Sequence, residues 1–233
     1  MMTTSRESHP AKKRPTWFGW AVGLPFRIVA VVVVSILTSI AVEWVGIYGG
    51  WWAQPGAGHA QGVLTHELGW IDTQFTRSLI FSHPVEMART VITTVYDAVF
   101  VWTGIAPWLG AHTSSGGVSQ TIATYGQAGI DVSLVVLVRV FILTLTVPLF
   151  VMAAAVGIVD GLVRRDLRKF GAGRESAFIY HHAKRLTGPV FILGWLIYLS
   201  VPFSVNPNTF LVPCAALFGL LISVTTGSFK KYL

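Results

Sequence analysis

The chain has 233 residues, of which 53% are hydrophobic and only 12% charged, with a mean hydropathy of +0.62. Soluble domains carry about 25% charged residues, so a chain with this composition uses lipid as solvent for part of its surface, and a wholly water-soluble protein is excluded. The single cysteine, Cys214, lies in an apolar run and rules out any disulfide within the chain, while the net charge of +7 is explained more simply by a positive-inside bias than by nucleic-acid binding.

The expected fold class is all-α: a polytopic membrane protein with four transmembrane helices and a small α-helical extracytoplasmic region between the first and second. Residues 1–18 read as a basic cytoplasmic tail, with Arg6, Lys12, Lys13 and Arg14. A first span is expected over 27–47, close to the ~20 residues a bilayer requires. Its length and its Glu43 argue for an uncleaved anchor over a signal peptide. Tyr48, Trp51 and Trp52 then suit the far interface.

Residues 53–131 change in character, with two basic and five acidic side chains. Leu64, Leu68, Ile71, Phe75 and Leu79 recur at helical spacing, and Pro84 opens a second stripe through Val85, Ala88, Val91, Ile92, Val95, Tyr96 and Val99. The pair is expected to form a periplasmic helical unit, or to lie on the membrane surface. Gly104 to Gly117 reads as a loop from its turn residues. A second span is expected over 132–159, with a kink from Pro148 near Thr144.

The stretch 160–187 (DGLVRRDLRKFGAGRESAFIYHHAKRLT) is a basic island between apolar runs. It is expected as a cytoplasmic loop, with Gly171-Ala172-Gly173 ending the incoming helix and Arg174–Leu186 forming a short second one. A third span over 189–205 and a fourth over 208–226 follow, hinged at Asn206-Pro207-Asn208, and 227–233 is a cytoplasmic tail. Fourteen of the seventeen Lys and Arg residues fall in the N-terminal segment through Arg27, the island and the tail. That distribution places both termini and the island in the cytoplasm, with the protein in the bacterial inner membrane.

Three sets of candidate residues emerge. Glu43 and Arg139 are the ionisable residues inside spans, each near the outer end of its helix, and are expected to pair; separate snorkelling to the outer headgroups is the alternative. Ala153, Gly157 and Gly161 are spaced for close helix packing, within the chain in preference to a dimer. In the island, Arg164, Arg165, Arg168, Lys169, Arg174, Lys184 and Arg185, with Phe178 and Tyr180 as apolar anchors, read as a docking surface. Anionic headgroups attract such a surface by ~1 kcal/mol per basic residue, and the aromatic residues favour a protein partner. Asp160 and Arg164 stand at i, i+4, so part of the charge is tied up locally.

No catalytic, cofactor or metal site is expected. HELGW, at His66–Trp70, lacks the second histidine of the zincin pattern, adjacent His181 and His182 diverge by about 100° on a helix, and neither a phosphate-binding GxxxxGK[ST] nor a GxSxG occurs. Enzyme activity thus has no support in the sequence.

The island, the SVNPN turn, the terminal GSFKKYL, and VEW (Val42–Trp44), ELGW (Glu67–Trp70), FTRSL (Phe75–Leu79) and YDAVF (Tyr96–Phe100) together resemble the family of integrating conjugative element membrane proteins, a family of unknown function without an established mechanism. The resemblance runs from about Trp17 to Leu233. It implies an inner-membrane accessory or structural component of conjugative DNA transfer, with the coupling ATPase and the type IV secretion channel as neighbours, and brings no catalytic residues with it. The competing readings are a small transporter or channel subunit, which would need polar residues near mid-membrane or inverted repeats, and a surface-exclusion factor acting through 53–131.

Overall fold

The computed structural model describes residues 17–54, 56–75, 82–114, 116–170 and 177–228. Among them are seven α-helices and no strand: α1 (Trp17–Gly49), α2 (Gly58–Gln74), α3 (Pro84–Val95) continued by a π turn (Tyr96–Val101), α4 (Ile105–His112), α5 (Gly117–Phe170), α6 (Ala177–Ser200) and α7 (Pro207–Gly227). The architecture is therefore all-α.

The 54-residue α5 is the axis of the molecule, and at 1.5 Å per residue it is roughly 81 Å long. Its N-terminal half carries α2 and α4, its C-terminal half carries α7, and α1 lies along it and against α6. The main core joins Ile71 of α2 and Phe75 just after it, Ala88 of α3, Val136, Val138, Ile142, Leu143 and Leu145 of α5, Tyr198 and Leu199 of α6, and Leu211 of α7. A smaller outer core packs Leu109 of α4 on Ala123, Ile130 and Leu134 of α5.

Among the described residues, three helices are long and apolar enough to cross a membrane: α1 from Pro25 to Gly49, α5, and α7. A fourth candidate is the pair formed by Pro84–Val101 and α4, which passes the same test jointly but is bent by 77°. The expected span over 189–205 is not among them. Its residues belong to α6, whose apolar part is the shorter Phe191–Ser200. The helix also starts earlier than expected, so the separate helix at Arg174–Leu186 and the span from 189 are one continuous element running through Gly188-Pro189. It stops at Ser200, before Pro202, leaving Val201–Asn206 non-helical.

Two further boundaries move. Gly104 to Gly117 is not a loop throughout, because α4 occupies its centre. Pro107 is tolerated there in the first helical turn, where its missing N–H has no helical partner to lose. Gly104, at φ +78°, makes the turn that precedes it. The expected 132–159 span is the middle of a helix that begins at Gly117 and continues unbroken through Pro148 into the basic segment at Phe170. The expected break at Gly171–Gly173, with Arg174, lies outside the described residues.

Candidate functional site

The functional candidates converge on Arg139, which projects from the middle of α5 and is 1% exposed. A guanidinium has five N–H donors, and each of the five has an acceptor. Nε and Nη2 donate to Glu67 Oε1 at 3.0 and 2.8 Å. Nη1 donates to the carbonyls of Leu199, at 3.4 Å, and Val201, and Nη2 also donates to Phe203 O at 2.8 Å. The guanidinium carbon lies 5.7 Å from the centroid of the Tyr198 ring.

The three carbonyls belong to the end of α6 and the non-helical connector to α7. The last carbonyls of a helix have no intrahelical donors, and in a water-poor interior each must find a donor elsewhere. Arg139 supplies these donors, so the connector can leave helical geometry inside the bundle. Glu67, on α2, is fully buried and balances the charge. Burial pushes its carboxyl above the usual carboxylate value, opposed first by Arg139 and then by the Val205 backbone and Ser204. Ion pairing and five directed hydrogen bonds thus join α2, α5 and the α6–α7 connector at one point.

Neighbouring contacts run along the same face of α2. Trp70 Nε1 donates to Ser204 Oγ at 2.9 Å, and the Asn208 side-chain amide donates to Gln74 Oε1. About two turns before Glu67, His59 Nδ1 lies 2.9 and 3.1 Å from the two carboxylate oxygens of Glu43 on α1. Trp52 stacks on the His59 ring with centroids 3.9 Å apart. A Cβ on Gly46 would lie 2.1 Å from the Trp52 ring, so the absence of a side chain there lets the indole fold back over α1. Asp131 of α5, also buried, accepts from Gln127 Nε2 at 3.3 Å.

Glu43 and Arg139 are therefore not partners of each other: Arg139 pairs with Glu67 and Glu43 with His59. Both line one small cavity, together with Ser39, Ala60, Val63, Val135, Val201 and Pro202, and space for the centre of a water molecule in it is about 20 Å³. That is room for one or two waters and no larger ligand. Glu67 is not among the pairs that the spans offer, although it stands four residues from both Val63 and Ile71, in phase with the buried face of α2.

The small-residue positions meet α7. A Cβ on Gly157 would lie 2.3 Å from Gly219 O, one on Gly161 2.7 Å from Ser223 O, and one on Gly219 2.8 Å from Ala153 O. Contacts advance four residues at a time on both helices, so α5 and α7 run parallel with their backbones touching. The Ser223 hydroxyl donates to Asp160 at the end of this seam, and Arg164 pairs with the same carboxylate at 2.9 Å. Beyond it, α5 exposes Leu162, Val163, Leu167 and Phe170. Arg165 is half-buried and Arg185, on α6, is exposed. The side chains of Arg168, Lys169, Phe178, Tyr180 and Lys184 lie outside the described set.

No group of three or more His, Cys, Asp or Glu side chains suited to a metal occurs among the described residues. With every Arg139 donor engaged, the central cluster joins α2, α5 and the α6–α7 connector. Comparison with curated proteins and with solved structures gives no match. The family model described as IncC plasmid conjugative DNA transfer protein DtrJ-like matches residues 51–230, from the end of α1 through α7. With three to four candidate membrane spans arranged on a single long helix and more than half of its length matched, this chain belongs to the DtrJ-like family of conjugative DNA transfer proteins.

Proposed function

We propose that the protein is a non-enzymatic, multi-pass component of the inner membrane that docks the conjugative transfer machinery through its basic cytoplasmic segment. The observation that carries this reading is the continuity of α5. From the Arg139 junction to Phe170 it runs 31 residues, about 46 Å, without interruption. The Gly157–Gly219 and Asp160–Ser223 contacts brace it just before the basic residues begin. A basic, partly apolar helix end fixed to a membrane bundle is suited to hold a protein partner at a set distance from the bilayer. The partner class favoured is the coupling ATPase or the secretion channel. Positive-inside counting supports a cytoplasmic location for the segment and both termini, and the sequence resemblance supports a home on an integrating conjugative element.

The test is photocrosslinking in mating donor cells from Phe170 and Arg185, followed by identification of the captured proteins and a transfer assay after deletion. Capture of transfer-machinery proteins at these positions, and not at the lipid-facing Val151, supports docking. No capture, together with unchanged transfer on deletion, rejects it.

A further inference from the structure

The outer end of the bundle carries an apolar surface that the docking reading does not use. α3, its π turn and α4 form an elbow whose apex, Trp102, is 85% exposed. Val99, Val101, Ile105 and Trp108 flank it and are exposed as well. Residues 90–130 contain one charged side chain, Asp97, and residues 44–66 contain none. A domain standing in water would not keep so large an uncharged, aromatic surface.

The height of this surface follows from two contacts on adjacent residues of α5. On one side, Trp44 of α1 donates its Nε1 to Tyr125 O at 3.0 Å. On the other, Leu109 of α4 fills the space above Gly126, where a Cβ would lie 2.6 Å from its Cδ2. Trp44 and α4 are therefore level. After Arg27 the exposed face of α1 carries no charge and is dominated by apolar side chains, from Ile28 and Val29 through Val33 and Leu37 to Trp44 and Tyr48. From Pro25 to Tyr48 it measures about 35 Å, the hydrocarbon thickness plus one interface. Lipid that coats α1 as far as Trp44 also reaches α4 and the elbow.

We propose that the elbow is a lipid-binding surface, with Trp102 and its neighbours seated in the outer leaflet at the boundary of headgroups and acyl chains. The bilayer occupies it because the apolar face is continuous with that of α1 and level with its aromatic end. The near absence of charge means that a zwitterionic lipid suffices, bound without help from salt-dependent attraction. Two tryptophans beside the bend suit the interface in the same way as Trp44 and Tyr48.

Full-length protein with Cys214→Ser and a single Trp102→Cys, labelled with an NBD fluorophore and reconstituted in phosphatidylcholine vesicles, tests this. Ser114→Cys, in the turn after α4, is the exposed reference, and Ile105→Cys repeats the measurement on the other arm of the elbow. At 102 and 105, lipids spin-labelled near the headgroup should quench at least twofold more strongly than at 114. Aqueous iodide should quench severalfold less, unchanged between 50 and 500 mM salt. Iodide quenching at 102 and 105 equal to that at 114 overturns the proposal. So does protection found only in donor-cell membranes holding the transfer machinery, which would make the occupant a protein.

Discussion

Removing the charge of Glu67 or the guanidinium of Arg139 separates a structural junction from an incidental buried pair. Both side chains are essentially inaccessible, at 0% and 1% exposure. Breaking a buried pair by removing one partner costs about 3–5 kcal/mol, because the remaining charge is left without compensation. Arg139→Met leaves the Glu67 carboxylate in that state and strips donors from the carbonyls of Leu199, Val201 and Phe203. Each orphaned carbonyl adds on the order of 1 kcal/mol, reduced by however far the connector relaxes. Glu67→Leu leaves the guanidinium charged but still bonded to the connector, and belongs at the lower end of the range.

The double variant Glu67→Leu/Arg139→Met removes both charges and leaves only the carbonyls unsatisfied. Its cost should therefore fall short of the sum of the single costs by about 2 kcal/mol, a factor of roughly 30 in the unfolding equilibrium. That exceeds the ~0.6 kcal/mol average of interhelical hydrogen bonds measured in membranes. Reversible unfolding in bicelles, followed by steric trapping, reads the four corners of the cycle. The same cycle on Glu43 and Arg139, which have separate partners but line one cavity, should give a clearly smaller coupling, below about 1 kcal/mol. Equal coupling for the two pairs, or additivity for Glu67 and Arg139, would refute the assignment of the junction.

Other expectations follow from the contacts. Gly157→Val places side-chain atoms against the Gly219 backbone, which cannot swing aside, so α5 and α7 should separate and thermal stability in detergent should fall by several degrees. Gly69→Ala, with nothing within 4 Å of the added Cβ, should instead raise stability, by up to about 1 kcal/mol from helix propensity. Gly46→Ala should push Trp52 off His59, detectable as faster modification of His59 by diethylpyrocarbonate with little loss of fold. Arg164→Gln removes an ion pair whose partners are half in solvent, and should change stability by less than about 0.5 kcal/mol; loss of transfer in that variant would then report on docking.

What the sequence makes legible, and what it hides, divides along a physical line. Apolar length and charge asymmetry are one-dimensional, and they identify α1, the core of α5, the Asn206-Pro207 start of α7 and the spacing of Gly157 and Gly161 without reference to any partner. Pairing is three-dimensional. Within the spans alone, Glu43 and Arg139 have only each other as ionisable partners. The structure inserts α2 between α1 and the α6–α7 connector, and α2 brings His59 to one charge and Glu67 to the other. A segment assigned to the outside by its composition supplies the counter-charges of the bundle.

The same fact explains the early end of α6. Before the hinge at Asn206, only Pro202 marks a break in the Val201–Asn206 stretch, and the apolar run reads as a span to 205. The cost of opening that helix is offset by three of the five hydrogen bonds of a side chain sixty residues away, so the break that Pro202 starts is sustained by Arg139. Arg139 in turn is tolerable only with Glu67 beside it. Glu67 and Arg139 are thus the means by which α2, the α6–α7 connector and the long axial helix α5 become one body. A rigid basic arm at the far end of that axis requires such a body behind it.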